Sequence, residues 1–196
     1  AGQYNILTGG NPDLDPEESD TYTIGAVFTP TFLDGLTVSL DYFSIEVEGY
    51  ISTVPPETAI NQCAQSGDAF FCSLINRGAG GTLWASNTGY FIATNVNTGS
   101  LETTGFDLQA NYSYDAGSAG VFGIDYAGTY LDSLEVQSLP DASVTPPFDC
   151  VGLYAGRCQS NFGNGANPEY RHKASLSWTP TDGKMSITGT WRHYSE

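Results

Sequence analysis

Apolar and polar residues alternate along much of this chain. From residue 21 to 29, Tyr22, Ile24, Ala26 and Phe28 alternate with Thr21, Thr23, Gly25 and Thr29, the period of a strand with one apolar face. Pro30 ends the run. After a short turn at 31–35, Leu36, Val38, Leu40 and Tyr42 resume the alternation against Thr37, Ser39 and Asp41, which predicts a hairpin. The apolar phase then moves to Phe43, Ile45 and Val47. One extra residue exchanges the two faces of a strand, so a β-bulge is expected near Tyr42 or Phe43. A second hairpin is predicted from Phe106, Leu108, Ala110, Tyr112 and Tyr114, through the turn 115–120, to Phe122, Ile124, Tyr126 and Tyr130. The third runs from Tyr170, Ala174, Leu176 and Trp178, through the turn 180–183, to Met185, Ile187 and Trp191. Its other face carries Arg171, Lys173, Ser175, Ser177, Thr188, Thr190 and Arg192.

The links within these hairpins are short, whereas those between them, 52–101 and 132–169, are long. Loops of that length are uncommon in compact soluble domains, but short turns on one side and long loops on the other are the habit of outer-membrane barrels. Aromatic residues near strand ends, among them Tyr22, Phe28, Tyr114, Tyr130, Tyr170, Trp178 and Trp191, fit an interfacial girdle. The expected fold is therefore all-β: antiparallel hairpins forming part of a transmembrane β-barrel, with long external loops. Pro55 and Pro56 before 57–63 predict a short helix in the first loop. A secreted β-sandwich that binds or hydrolyses carbohydrate shares the same alternation. For that alternative, Glu46 and Glu48 lie on one strand face about 7 Å apart, within the range of paired glycosidase carboxylates.

Composition sharpens the choice. The polar faces are rich in Ser and Thr, which suits a lumen better than open solvent. A formal net charge of −16 with 6 Lys plus Arg leaves no basic surface for nucleic acid. Asp13, Asp15, Glu17, Glu18 and Asp20 are crowded together but lack EF-hand spacing, so a solvated acidic loop is expected and no metal is assigned. No apolar run is long enough for a membrane-crossing helix, a statement that does not reach strands. Cys63, Cys72, Cys150 and Cys158 form two close pairs too widely spaced for a zinc knuckle. Of three connectivities, loop-closure entropy favours Cys63 with Cys72 and Cys150 with Cys158, as staples in an oxidising compartment.

The stretch Gly10-Asn11-Pro12-Asp13-Leu14-Asp15-Pro16-Glu17, followed by Ser19 and Tyr22 to Gly25, resembles the G-N-P-x-L-x-P-E segment that precedes a barrel strand in TonB-dependent outer-membrane receptors. Gly35 to Phe43, the segment around Cys63 and Cys72, Asn95, and Thr104-Gly105-Phe106-Asp107 are similar to that family in order and spacing. The resemblance implies a nutrient receptor of the Gram-negative outer membrane that imports a siderophore, cobalamin or oligosaccharide. Its implied partners are lipid and lipopolysaccharide, a plug domain with the remaining barrel strands, and the TonB complex acting through that plug. The family's signal peptide, TonB box, plug and aromatic terminal residue have no counterpart here. Residues 1–196 are accordingly expected to be one segment of a larger barrel.

Arg77, Trp84, Tyr90 and Phe91 lie in the Gly-rich part of the first long loop. Aromatic and Arg side chains are common anchors at binding surfaces, so these four are the candidate ligand contacts. Arg77-Gly78-Ala79-Gly80-Gly81 precedes no helix and is not read as a phosphate cradle. His172 and His193 fall on the apolar face near strand ends, which suits interfacial packing. No catalytic constellation is assigned, no cofactor is expected, and the chain is not expected to be an enzyme.

Overall fold

The structure, a computed structural model, describes residues 4–83, 88–137, 139, 146–154, 158 and 166–195. The chain divides into two compact units. One comprises residues 1–19, 47–101 and 136–147, and the other 20–46, 102–135 and 148–196.

Six long strands make one sheet. They are β2 (Glu18–Phe28), β3 (Leu36–Ser52), β6 (Val96–Asp115), β7 (Val121–Gln137), β9 (Tyr170–Thr179) and β10 (Ile187–Tyr194). Their spatial order is β10-β9-β7-β6-β3-β2, with the two-residue β8 (Phe148–Asp149) added beside β7. All three predicted hairpins are present, and the meander continues from each to the next. That single sheet, rather than two facing ones, removes the basis for a sandwich. Among the described residues β2 and β10 are its outer strands.

The short turns carry the expected chemistry. Gly183 donates its amide to Pro180 O at 2.9 Å, closing the turn between β9 and β10. The turn from β6 to β7 is a 3-10 turn, Gly117–Ala119, and its Gly117 amide donates to the Asp115 carboxylate at 2.8 Å.

Pairing register fixes the two faces of the second unit. Ala174 pairs with Tyr126 and Trp191, and Leu176 with Ile124 and Gly189, so these positions share one side. Leu176 is 58% exposed and Trp191 61%, with Phe106, Ile124 and Ile187 also exposed. Each such side chain forgoes about 1.5–3 kcal/mol of burial if it faces water. A continuous apolar surface of this kind suits a lipid environment.

The expected bulge at Tyr42 or Phe43 is not what moves the phase. The Tyr42 ring packs on Phe106, with centroids 5.2 Å apart, whereas the Phe43 ring lies over Gly105, the adjacent residue of β6. Adjacent residues of a strand point to opposite sides, as Gly105 and Phe106 do, so Tyr42 and Phe43 lie on opposite sides of the sheet. Phe43 turns inward because Gly105 leaves room for its ring. The left-handed residue of β3 is Gly49, at φ +64°.

The first unit solves its hydrophobic problem differently. The predicted helix is α1 (Pro56–Ser66), with Pro56 in its first turn and Gly67 ending it at φ +66°. Asp68 then starts α2 (Ala69–Ser73) by accepting from the Phe70 amide at 2.8 Å. Strands β1 (Asn5–Leu7), β4 (Ile75–Asn76) and β5 (Tyr90–Ile92) form a small sheet in the order β1-β5-β4. Val54, Ala59, Phe71, Leu74, Phe91 and Leu139 make its buried core.

Candidate functional site

The G-N-P-x-L-x-P-E stretch acts as a clasp within the first unit. Asn97, at the start of β6, accepts from the Asp15 amide at 2.9 Å and donates to Asp15 O and to Gly49 O, each at 2.8 Å. Its amide thus mimics a peptide unit and joins three segments of chain. Asn11 donates to Asn95 O at 3.0 Å, and the Glu17 carboxylate accepts from the Ile51 amide at 2.7 Å. Among the described residues no three acidic, His or Cys side chains converge to hold a metal ion.

Both cysteine pairs stand as disulfides, Cys63–Cys72 at 2.05 Å and Cys150–Cys158 at 2.09 Å. The first links the last turn of α1 to α2, pinning both helices of the long loop. Closing a loop of about ten residues removes roughly 2–3 kcal/mol of unfolded-chain freedom.

The four candidate contacts have different fates. Phe91 is fully buried, and its side chain is part of the core rather than of a contact surface. Tyr90 is half-buried and pairs with Asn76, so Arg77 follows directly after Tyr90's partner on the neighbouring strand. Arg77 is exposed and donates from Nη1 to Gly81 O at 3.2 Å, bracing the turn that carries it. Trp84 lies outside the described residues. Glu46 and Glu48 are both exposed on β3.

A second place emerges on the polar side of the sheet in the second unit. Thr129 of β7 pairs with Arg171 of β9, Lys173 of β9 with Arg192 of β10, and Arg171 with Tyr194. These residues, with Asp107 and Gln109 of β6, line a basin of about 420 Å3. Three of the chain's 6 Lys and Arg residues are therefore neighbours. Asp107 accepts from the Thr129 hydroxyl at 2.7 Å. Among the described residues the ion pair is Lys184 with Asp182, in the short turn between β9 and β10, and it involves none of the three basin cations. A Lys or Arg facing lipid at mid-bilayer costs about 2–4 kcal/mol, so their placement opposite the apolar side is the inexpensive one.

The sequence places Arg171, Lys173 and Arg192 on a polar face without showing that they meet. The signal was the short turn at 180–183, which sets Lys173 across from Arg192 once the hairpin is in register.

Behind them, on the apolar side, Tyr126, Tyr170, His172, Trp191 and His193 form a ring cluster. His172 stands edge-on to Trp191 at 4.6 Å and lies 5.3 Å from His193. The Tyr126 and Tyr170 hydroxyls hydrogen-bond each other. Both histidines therefore pack among aromatic rings on the apolar side of the sheet.

A family model described as TonB dependent receptor-like, beta-barrel, matches residues 1–196. No curated protein matches the chain.

Proposed function

Because this chain belongs to the TonB-dependent receptor β-barrel family, whose role is outer-membrane reception and transport, we propose that it supplies wall strands and outer loops to a receptor importing a scarce nutrient. Siderophores, cobalamins and oligosaccharides are the candidate classes. The reading includes further barrel strands pairing with β2 and β10, since an unpaired strand edge is prohibitive within lipid. It also includes a plug domain through which the TonB complex acts. The ligand is captured and released without chemical change.

The observation that supports this reading best is the pairing of two hydrophobic solutions in one chain. A sheet with an outward apolar side is joined to a loop unit that has its own buried core and disulfide. A loop so reinforced suits a binding surface. Arg77 and Tyr90 are its candidate contacts, together with Trp84.

In the intact receptor, replacing residues 53–95 by a short Gly-rich turn should leave strand pairing and surface abundance intact. Ligand binding to whole cells should weaken about tenfold or more, equivalent to 1.4 kcal/mol. Undiminished binding would remove the loop from the site. Accumulation that persists after the proton gradient is collapsed would indicate a passive pore and end the energised reading.

A further inference from the structure

We propose that the polar face of β7, β9 and β10 holds a binding site for a solute bearing several carboxylates, with Lys173 and Arg192 as its centre and Arg171 as its outer arm. The inference rests on the receptor reading above and gives that receptor's ligand a chemical class.

Charge is the first reason. The chain has 22 Asp and Glu against 6 Lys and Arg, so a cation scattered at random would most often meet an acid. Here Lys173 and Arg192 are directly opposite one another, and Arg171 lies two residues before Lys173 on the same face. Like charges directly opposite in a sheet are destabilising. Among the described residues none of the three is in an ion pair, and Asp107 is the one acidic side chain lining the basin, so the cations outnumber it and an anion from outside the set stabilises the arrangement.

Geometry is the second. Cross-strand partners have Cβ atoms about 5 Å apart, and alternate residues of one strand lie about 7 Å apart. Three cations spaced in this way match several carboxylates on one small molecule better than a single anion. Guanidinium groups add bidentate hydrogen bonds. The Thr129 hydroxyl is already given to Asp107, which leaves Gln109 and Tyr194 as the neutral polar groups of the basin.

Position is the third. Arg171 is the second residue of β9, and Tyr194 is the last of β10. The cations thus stand near the end of the sheet where the 138–169 connection enters β9, opposite the short turns. An entering solute would reach this end first in a barrel with long external loops.

The test is isothermal titration of the purified intact receptor in detergent with propane-1,2,3-tricarboxylate, using the neutral triamide as control. Binding of the tricarboxylate alone is expected, weakening as salt rises because charged contacts are screened. The K173Q/R192Q double variant should bind about tenfold or more weakly, while K173R/R192K should retain most of the affinity. Near-ultraviolet circular dichroism checks that each variant is folded. If the glutamine pair does not fold, the wild-type comparison of tricarboxylate with triamide and its salt dependence still decide the matter. Equal binding of acid and triamide, no binding, or binding unchanged in K173Q/R192Q overturns the site. A loss of thermal stability in the variant, with no tricarboxylate effect in the wild type, would assign the cations to acidic groups of the receptor itself. None of these outcomes depends on the proton gradient, so they separate the site from the transport reading.

Discussion

Gly105→Leu in the intact receptor should sharply reduce the folded barrel in the outer membrane. A Cβ at Gly105 would stand 2.5 Å from the Tyr130 carbonyl oxygen and 2.6 Å from the Phe43 ring. The ring could shift, but the carbonyl is backbone in the neighbouring strand β7. Relief there means separating two paired strands, and over-packing alone costs about 1–3 kcal/mol. Even Gly105→Ala should be impaired, and adding Phe43→Ala should restore only part of the loss, because only one of the two clashes is removed. Heat-modifiable migration on gels, scored beside total protein, measures the folded fraction. Wild-type levels for Gly105→Ala would show that β6 and β7 do not approach so closely.

The second large effect is expected at Asn97. Asn97→Ala removes one acceptor and two donors, leaving the Asp15 amide and two carbonyls without that partner. At about 1 kcal/mol net for each hydrogen bond, local stability should fall by roughly 2–3 kcal/mol. Asn97→Asp offers a sharper comparison. It retains an acceptor for the Asp15 amide but sets a carboxylate against the carbonyls of Asp15 and Gly49. Amide hydrogen exchange should therefore accelerate at Asp15 in the alanine variant and less so in the aspartate variant, while both should be cut faster by protease within residues 8–19. Exchange at Asp15 that is the same in all three proteins would sink the clasp.

Which parts of this fold were legible in sequence follows from where the alternation operates. Residues 106–114 and 170–178 face an apolar medium on one side, so period two is written into them. The first ten residues of β6, Val96 to Gly105, carry Asn, Thr, Ser and Glu on both sides. They are held by backbone pairing and specific amides such as Asn97, which leave no hydropathy period, so alternation alone places the start of the strand too late. The small sheet β1-β5-β4 leaves no trace in the alternation for a related reason. Its strands are two or three residues long, and β1 pairs in parallel with the sequence-distant β5, Asn5 with Tyr90. Sequence alone offers Phe91 as a surface anchor, because aromatic residues in a Gly-rich loop look alike whether exposed or packed. Only the partners Val54, Ala59 and Leu74, drawn from distant segments, identify it as core. Phe43 misled in the other direction, since its inward turn depends on the absence of a side chain at Gly105.

The aromatic cluster behind the basin also gives this barrel an optical record of its own assembly. Tyr126 comes from β7, Tyr170 and His172 from β9, and Trp191 and His193 from β10, so the rings meet only when three strands are paired in register. A slip of one residue sends Trp191 to the opposite side of the sheet, and a slip of two carries it about 7 Å from His172. The indole's electronic environment therefore distinguishes correct pairing from a neighbouring misregister, which a measure of total strand content cannot do. With Trp84 and Trp178 replaced by Phe, a time course of Trp191 emission during refolding into lipid vesicles would then date the moment at which β9 and β10 lock together.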